Sequence, residues 1–338
     1  MTSLKRKLRQ RIMPGALILL YHRVIDLRAD PQLLTVKPST FRTHLEIIRK
    51  KTQPVSMQRV SRAMAERRPL RRAVAVTFDD GYGDNLEIAK PLLQRYEVPA
   101  TVHVSTGYAG GNSEFWWDEL ERLLLLPGDL PSELDIQVEG RHLRFDLGEA
   151  ARFTDGDAAR YTAWNVQQPD CPTPRHQAYV KIGAELRNLG VRDRDEVLNG
   201  LRAQCGVTAA GRRSHLPMDR PGIVELASGG LVDVAAHTVN HPRLSCLSRT
   251  EQEYETLTGK KDLEGILGTD VPGFAYPFGA SDDYDAQSVE IARQCGFEWA
   301  LANTPGTAWH GSDRFQLPRV LVRDWDAAAF ERLIDRWL

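Results

Sequence analysis

Residues 73–82 read AVAVTFDDGY and decide the class of fold. The part at 73–78 contains no charged side chain, which is typical of a strand buried on both faces of a parallel sheet. Two carboxylates, Asp79 and Asp80, follow directly. Active sites of parallel α/β folds collect at the C-terminal ends of the strands. The segment therefore predicts a parallel strand that ends at a polar site.

Further apolar runs and amphipathic segments alternate in the outer parts of the chain. Ser248 and Glu251 form an S-x-x-E capping box, which opens a long polar helix. Alternation of strands with helices predicts a mostly parallel α/β sheet or barrel. The other runs predicted as strands are 16–21, 100–104, 231–236 and 297–302.

The stretch 111–229 breaks this alternation. It contains a helical pattern at 116–126, an alternating pattern at 134–147 that indicates a β-hairpin, and a charged helical stretch at 174–205. It has neither a repeat nor a low-complexity tract, so we expect it to be folded. We predict one catalytic domain over 1–338 that carries a mainly helical insertion at 111–229.

Composition argues against several kinds of partner and site. Lys plus Arg number 44 and Asp plus Glu number 45, so no strong overall field is available to attract nucleic acid. The cysteines Cys171, Cys205, Cys246 and Cys295 lie far apart, which argues against a zinc ribbon or a dense disulfide framework. A small, neutral or locally recognised ligand fits this balance better.

The N-terminal segment MTSLKRKLRQRIMPG is basic and precedes the apolar run 16–21. The run is too short for a signal peptide and lacks a small-residue cleavage site, so we interpret it as a buried strand. No apolar stretch elsewhere approaches the length of a membrane span, and we expect a cytoplasmic protein. The basic start favours a solvated tail, with peripheral contact to an anionic membrane surface as the alternative.

Asp79 and Asp80 can divide the work of a hydrolytic site. Adjacent carboxylates repel each other unless a cation or a proton separates their roles. One can then bind a metal while the other accepts a proton from water. The spacing is equally compatible with a turn in which Asp80 caps the following helix, because Asp-Gly is a strong turn signal.

His237 and His241 follow the apolar run 231–236. Two imidazoles four positions apart can face one point from a helical turn or tight loop, as a metal ion requires. Taken singly, each histidine would by default be an ordinary core or surface residue. Their place after a strand predicts the same sheet edge as Asp79 and Asp80. Two imidazoles and one carboxylate suit zinc, with cobalt, nickel or iron as alternatives.

Residues 274–279 read FAYPFG, a strand that Pro277 and Gly279 close abruptly. Such a turn can aim a backbone N–H at a developing oxyanion. An ordinary strand end is the alternative interpretation.

Together, these three segments resemble the polysaccharide deacetylase family, also called the NodB-homology or carbohydrate esterase family 4 group. TFDDG at 77–81 is similar to its first motif, HTVNH at 237–241 to its H-[ST]-x-x-H motif, and 274–279 to its third. The resemblance covers about 16–110 and 230–325 and implies a distorted (β/α)7 barrel. The roles that it implies are Asp79 as general base, Asp80, His237 and His241 as metal ligands, and the backbone N–H of Tyr276 in the oxyanion hole.

The chain departs from the family pattern at two places. The third motif commonly carries an arginine where this chain has Ala275, and Arg319 is the candidate substitute that would orient the base. The late Leu-x-His motif that supplies the catalytic acid is absent near the C-terminus. LYHR at 20–23 instead resembles the segment of circularly permuted members such as the poly-N-acetylglucosamine deacetylases, which implies that His22 is the acid.

We therefore expect a metal-dependent hydrolase that removes an N-acetyl or other N-acyl group from an amino sugar in a glycan or glycan precursor. A deformylase or another hydrolase of non-carbohydrate amides is one alternative, and a non-catalytic glycan-binding module is another. Trp117 and Asp118 are candidate substrate contacts, because aromatic faces stack on sugar rings and carboxylates accept hydroxyl hydrogen bonds. Burial of the tryptophans within the protein is equally compatible with the sequence.

Overall fold

The computed structural model describes residues 15–338, so the basic segment 1–14 and its two interpretations lie outside the described residues. The chain divides into two compact units. The first unit consists of Met1–Asp26, as far as it is described, Leu34–Gly110 and Pro217–Leu338. The second consists of Leu27–Leu33 and Gly111–Leu216.

The regular elements are numbered here in chain order. The strands are β1 Ala16–Tyr21, β2 Arg23–Val24, β3 Thr35–Val36, β4 Gln53–Pro54, β5 Ala73–Phe78, β6 Ala100–Val104, β7 Gly128–Asp129, β8 Glu133–Val138, β9 Arg141–Asp146, β10 Arg152–Phe153, β11 Val232–Ala236, β12 Gly273–Ala275, β13 Trp299–Leu301 and β14 Val320–Leu321. The α-helices are α1 Pro38–Lys51, α2 Met57–Ala65, α3 Lys90–Tyr96, α4 Trp116–Leu124, α5 Asp155–Arg160, α6 Pro174–Asn188, α7 Val191–Cys205, α8 Arg220–Ala227, α9 Arg249–Leu267, α10 Ala286–Gln294 and α11 Ala327–Trp337.

A curled parallel sheet forms the centre of the first unit, with the strand order β13-β12-β11-β6-β5-β1-β14 and with β4 beside β5. All of these pairings are parallel. A parallel bridge between Leu301 and Leu317 also links the region of β13 to the segment before β14. This arrangement confirms the predicted α/β class with a parallel sheet, and the sheet curls as a half-barrel.

The central strands are buried on both faces, as their apolar sequences predict. Along β1, Leu17 and Leu19 pack in the larger hydrophobic cluster of the unit. Ala16 and Ile18 point to the other face and pack in a second cluster that includes Trp299. Every residue of β1 and of β5 is buried. Burial on both faces explains why these runs lack the polar alternation of a half-exposed strand.

Local signals set the bounds of the helix α9. The side chain of Ser248 accepts a hydrogen bond from the Glu251 N–H, and the Glu251 side chain accepts one from the Ser248 N–H. This confirms the predicted capping box. The helix ends at Leu267, and the next residue, Gly268, has a φ of +68°, the left-handed conformation that glycine adopts readily.

The second unit combines helices with a β-hairpin. Strands β8 and β9 pair antiparallel, with Leu134 opposite Phe145 and Val138 opposite Arg141. The connecting residues Glu139 and Gly140 both have positive φ, of +47° and +77°, as the tight primed turns of hairpins require. The hairpin predicted within 134–147 is thus confirmed.

The second unit begins at Gly111, as does the predicted insertion 111–229, but it ends at Leu216 and also includes Leu27–Leu33. Residues 217–229 belong to the first unit, because Ile223 of α8 packs in the larger cluster of that unit and the Met218 N–H donates to the Gly81 carbonyl at 2.9 Å. Leu27–Leu33 belongs to the second unit, where the Pro31 carbonyl accepts a hydrogen bond from Val166. These contacts join segments distant in sequence, so the apolar pattern did not indicate them.

Two simple expectations concern cysteines and membrane spans. The cysteines Cys171, Cys205, Cys246 and Cys295 are free thiols in the structure. Within the range 15–338, no helix combines the length and the apolar character that crossing a membrane requires.

Candidate active site

The register of the parallel strands brings the predicted site residues to one edge of the sheet. Tyr21 of β1 pairs with Phe78 of β5, so the residues that follow them, His22 and Asp79, leave the sheet at the same level. The His237 N–H, one residue beyond β11, donates to the Val104 carbonyl of β6 at 3.0 Å. The C-terminal ends of β1, β5, β6 and β11 therefore deliver these side chains to a common edge.

The loops at this edge hold an unusual number of residues in the left-handed backbone region. For side chains other than glycine this conformation costs energy, and it concentrates at functional sites. At Gly81 a side chain would also be crowded, because an added Cβ would lie 3.0 Å from Cγ2 of Val104 and that methyl group would have to shift. The residues concerned, with φ in parentheses, are Asp80 (+74°), Gly81 (+80°), Thr238 (+66°), His241 (+51°) and Phe278 (+60°).

Asp80, His237 and His241 form a buried cluster whose ligand atoms all lie within 4.8 Å of one another. Oδ1 of Asp80 is 3.3 Å from Nε2 of His241 and 3.6 Å from Nε2 of His237. Nδ1 of His237 donates a hydrogen bond to the Ala275 carbonyl at 2.8 Å. Because that bond places the ring proton on Nδ1, Nε2 is left with a lone pair directed toward Asp80, as a metal ligand requires.

The donor set of this cluster fits a divalent cation. Within residues 15–338, no group donates a hydrogen bond to the buried Oδ1 of Asp80. Burial favours the protonated acid, but His237 and His241 outweigh it and hold the pKa of Asp80 below its ordinary value. An ionised, buried carboxylate oxygen without a hydrogen-bond donor is costly alone and becomes favourable when a cation occupies the space before it.

The surroundings of Asp79 differ from those of Asp80. The guanidinium of Arg319 donates two parallel hydrogen bonds to the carboxylate of Asp79, from Nη1 to Oδ1 and from Nη2 to Oδ2, each 2.7 Å long. Nε of Arg319 donates to the Ala302 carbonyl at 3.1 Å, which fixes the guanidinium in the interior. Burial raises the pKa of Asp79, but Arg319, together with His237 and His103, holds it well below the ordinary value.

Arg319 is therefore the arginine that contacts Asp79, the residue predicted to be the base. Ala275, at the position where the third motif commonly carries arginine, has its side chain in the hydrophobic cluster with Trp299 and Leu317. The arginine that contacts Asp79 comes instead from the segment just before β14.

His103 was not among the predicted site residues, yet it contacts the base. It belongs to β6, is fully buried, and its Nδ1 lies 3.0 Å from Oδ1 of Asp79. The same nitrogen hydrogen-bonds the Phe78 carbonyl at 3.0 Å. The signal available in the sequence was a single histidine within the otherwise uncharged strand 100–104.

His22 lies at the end of β1 and is half-buried. Its carbonyl accepts a hydrogen bond of 2.9 Å from Nδ2 of Asn85, which holds the backbone in place. Burial lowers the pKa of His22, while the carboxylates of Asp80 and Asp79 oppose that shift. The structure therefore places the imidazole in the electrostatic field of both aspartates.

The role predicted for the Tyr276 backbone requires correction. Its N–H donates to the Leu301 carbonyl at 3.1 Å, as a continuation of the ladder between β12 and β13. An N–H already bonded in the sheet is not available to an oxyanion. The hydroxyl of Tyr276 donates to the Phe315 carbonyl at 2.9 Å, so its side chain lies in the core. Phe278 of the following turn reaches the site, with its ring edge-on to His241 at 4.7 Å between centroids.

Comparison with known sequences identifies the family. Residues 66–125 and 206–300 match the sequence model described as polysaccharide deacetylase. The matched ranges contain both aspartates and both histidines that the structure gathers at one edge. The chain carries a domain of the polysaccharide deacetylase family.

The relatives of this polysaccharide deacetylase domain match only part of its length. YxkH of Bacillus subtilis (strain 168) is 30% identical over 112 residues, which are 33% of this chain and 38% of YxkH. Poly-beta-1,6-N-acetyl-D-glucosamine N-deacetylase of Escherichia coli (strain K12) is 34% identical over 88 residues, 25% of this chain and 13% of that protein. The chain thus spans well under half of either relative.

Among solved structures, IcaB from Ammonifex degensii is similar over nearly the whole length. The TM-score is 0.59 at 18% sequence identity, and the alignment covers 96% of this chain and 97% of IcaB. At this identity the likeness shows the fold. It confirms that the curled parallel sheet is the polysaccharide deacetylase fold that the motifs imply.

The two predicted substrate contacts, Trp117 and Asp118, lie in the second unit of the chain and are buried. Trp117 is 5% exposed and stacks on Phe115, with 4.6 Å between ring centroids and 4° between ring planes. Trp116 meets it edge-on at 5.3 Å. A ring whose face is already covered does not offer that face to a sugar, so the structure favours the packing alternative for Trp117.

Asp118 is also buried, as part of a second cluster of possible ligands with Glu121 and His215. Arg212 lies within this cluster, with Nη2 3.0 Å from Oε2 of Glu121 and 2.8 Å from the carbonyl oxygen of Asp118. Asp118 is therefore buried beside the ion pair of Arg212 and Glu121, which does not favour the predicted sugar contact.

Proposed function

We propose that this chain is a divalent-metal-dependent hydrolase that removes the N-acetyl group from an amino sugar in a glycan or glycan precursor. One observation carries the proposal. Asp79, held by Arg319, stands directly beside the cluster of Asp80, His237 and His241, with its Oδ2 3.9 Å from Nε2 of His237. An ionised base next to a three-ligand cluster is the arrangement that hydrolysis of an amide by water requires.

Asp80, His237 and His241 would hold the cation. Two imidazoles and one carboxylate suit zinc and leave positions open for water and substrate, and the same set also accepts cobalt, nickel or iron. When bound, the cation supplies Lewis-acid activation of the attacking water and of the acyl carbonyl.

Asp79 acts as the general base. Its carboxylate stays ionised because Arg319 compensates the charge in the interior. Oδ2 is the oxygen nearer to the ligand cluster, so it accepts the proton of the water that attacks the acyl carbon. A new C–O bond forms at that carbon in this step.

His22 acts as the general acid that completes the cleavage. It leaves the sheet at the level of Asp79. Burial lowers its pKa, against the opposing effect of the carboxylates of Asp80 and Asp79, so its protonated form gives up a proton readily. When the C–N bond breaks, the imidazolium gives its proton to the departing nitrogen. The products are acetate and a free amino sugar.

An N-acetylhexosamine is the substrate class that the comparisons favour. The E. coli relative is named for removing acetyl groups from poly-beta-1,6-N-acetyl-D-glucosamine. Because only 25% of this chain is matched by that relative, the substrates to be compared are β-1,6-linked oligomers, other N-acetylhexosamine oligomers, and nucleotide-linked and lipid-linked N-acetylhexosamines.

The test is a screen of the purified, zinc-loaded chain against this panel and against N-formyl analogues. Acetate and formate are measured separately, together with the free amine. We expect acetate and amine in equal amounts from at least one N-acetylated sugar, and loss of both when the metal is removed by a chelator. Formate as the main product would favour the deformylase. Tight glycan binding by the metal-loaded chain without release of acid would favour the binding module.

A further inference from the structure

His103 is placed against Asp79 by the sheet itself. Val102 of β6 pairs with Phe78 of β5, so the next residue on each chain, His103 and Asp79, lie side by side at the end of the strands. His103 is fully buried and Asp79 nearly so. Two neighbouring strands thus fix the distance of 3.0 Å between Nδ1 of His103 and Oδ1 of Asp79.

The position of the ring proton of His103 follows from its neighbours. Nδ1 faces two oxygens at 3.0 Å, the carbonyl of Phe78 and Oδ1 of Asp79. A carbonyl cannot donate, and the carboxylate beside Arg319 is ionised. The hydrogen is therefore on Nδ1 and is shared between two acceptors, a three-centre arrangement.

Neither charge balance nor stability explains a histidine at this position. Arg319 already compensates the charge of Asp79 through both carboxylate oxygens. On the other side of the ring, Nε2 of His103 is buried and has no hydrogen-bond partner within residues 15–338, which costs free energy. An apolar side chain would fill the same space without that cost.

The contact instead makes the two oxygens of the base unequal. Oδ1 of Asp79 faces Nη1 of Arg319 at 2.7 Å and Nδ1 of His103 at 3.0 Å. Oδ2 faces Nη2 of Arg319 at 2.7 Å and lies 3.9 Å from Nε2 of His237. The guanidinium of Arg319 hydrogen-bonds both oxygens at the same distance. The hydrogen bond from His103 is made to Oδ1 and therefore distinguishes the two oxygens.

We propose that His103 is a positioning residue: by holding Oδ1 of Asp79, it fixes the carboxylate so that Oδ2 is the oxygen that takes the proton from the attacking water. The assignment rests on the proposed hydrolase function. His103 itself touches neither water nor substrate in this role. It acts by orienting the base, so its loss should lower kcat and leave KM nearly unchanged.

Three substitutions test the assignment. The side-chain amide nitrogen of asparagine can take the place of Nδ1, that of glutamine reaches toward Nε2, and leucine has neither. We expect His103→Leu and His103→Gln to lower kcat by about 10–100-fold with KM nearly unchanged, and His103→Asn to restore most of kcat. Metal content should be the same in all three, because Asp80, His237 and His241 are untouched.

Thr101→Val provides the matched control. Thr101 lies two residues earlier on the same strand, is equally buried, and its hydroxyl also has no hydrogen-bond partner within the described range. Thr101 pairs with Thr77, two residues before Asp79, so this variant should keep the wild-type kcat. Equal kcat in wild type and His103→Leu at equal metal content would overturn the proposal, as would an asparagine variant as slow as the leucine variant.

A second measurement tests the contact between His103 and Asp79 without an activity assay. In protein labelled with ¹⁵N at histidine, His103 should show a slowly exchanging proton on Nδ1, and its resonance should shift in Asp79→Asn. A proton on Nε2, or a resonance indifferent to Asp79, overturns the assignment. If wild-type protein cleaves no N-acetyl sugar, the proposed function fails, and the resonance of His103 still tests the positioning contact.

Discussion

Residues 15–338 contain two buried clusters of side chains that could bind a metal, one in each unit. The two clusters differ in the position of the nearest arginine. In both clusters, three ligand atoms lie within 4.8 Å of one another. In the first unit, Arg319 binds Asp79 and leaves Asp80 to the two histidines. In the second unit, Arg212 reaches into the cluster itself and contacts Glu121 at 3.0 Å.

As a consequence, the carboxyl groups of Glu121 and Asp80, one in each cluster, have pKa shifts of opposite direction. Burial raises the pKa of Glu121, against the pull of Arg212, while the histidines hold the pKa of Asp80 low. A divalent cation beside Glu121 would share the space with a guanidinium, and two like charges at such a distance repel strongly in a protein interior. Burial and spacing therefore do not define a metal site by themselves. Whether an arginine side chain lies inside the cluster also determines whether a metal ion can bind there.

The largest effect should come from removing one ligand of the first cluster. His241→Ala should lose both bound zinc and turnover, because one of three protein ligands is gone. The matched control is His215→Ala, which removes the histidine of the second cluster and should leave the metal content unchanged. Metal analysis of the purified variants checks both. Zinc lost from His215→Ala and retained by His241→Ala would reverse the comparison between the clusters.

A smaller effect should distinguish Asp80 of the first cluster from the adjacent Asp79. Asp79→Asn should retain the metal and lower kcat by about 10²–10⁴-fold, the scale of a lost general base. Asp80→Asn should lose metal first, because this side chain faces the histidines. Metal content and kcat are measured on the same samples. An equal fall of metal content in both variants would mean that the carboxylates share one role.

The same comparison shows how much of the site could be predicted from the sequence. Asp79, His22 and His237 each follow an apolar run, and parallel strands end at a common edge, so their convergence needed only the strand pattern. His103 lies inside such a run, at 100–104. A histidine there is indistinguishable from a core residue until the register between β5 and β6 places it beside Asp79.

Other features depend on partners that local sequence does not contain. The Tyr276 N–H is bonded because β13 extends far enough to accept it, and nothing within 274–279 specifies the length of that strand. Likewise, Leu27–Leu33 joins the second unit through contacts such as that of Gln32 with Tyr179. Apolar periodicity reports which face of an element is buried, and it does not report which distant segment covers it.

The effect of removing His22 should be smaller still, and it depends on the substrate. His22 is half-buried at the edge of the sheet and lies in the field of Asp80 and Asp79, which fits a group that gives a proton to the leaving nitrogen. His22→Ala should retain the metal and lower kcat/KM for the amide by about 10²-fold, at the low end for a lost general acid.

An activated ester separates this role from a structural one. Its leaving group departs without a proton, so His22→Ala should slow ester hydrolysis much less than amide hydrolysis. The control is His310→Ala, since His310 is exposed and should affect neither substrate. Equal losses on amide and ester would assign His22 to substrate positioning or to support of the fold. The difference between the two substrates thus decides whether the histidine at the end of β1 completes the chemistry that Asp79 begins.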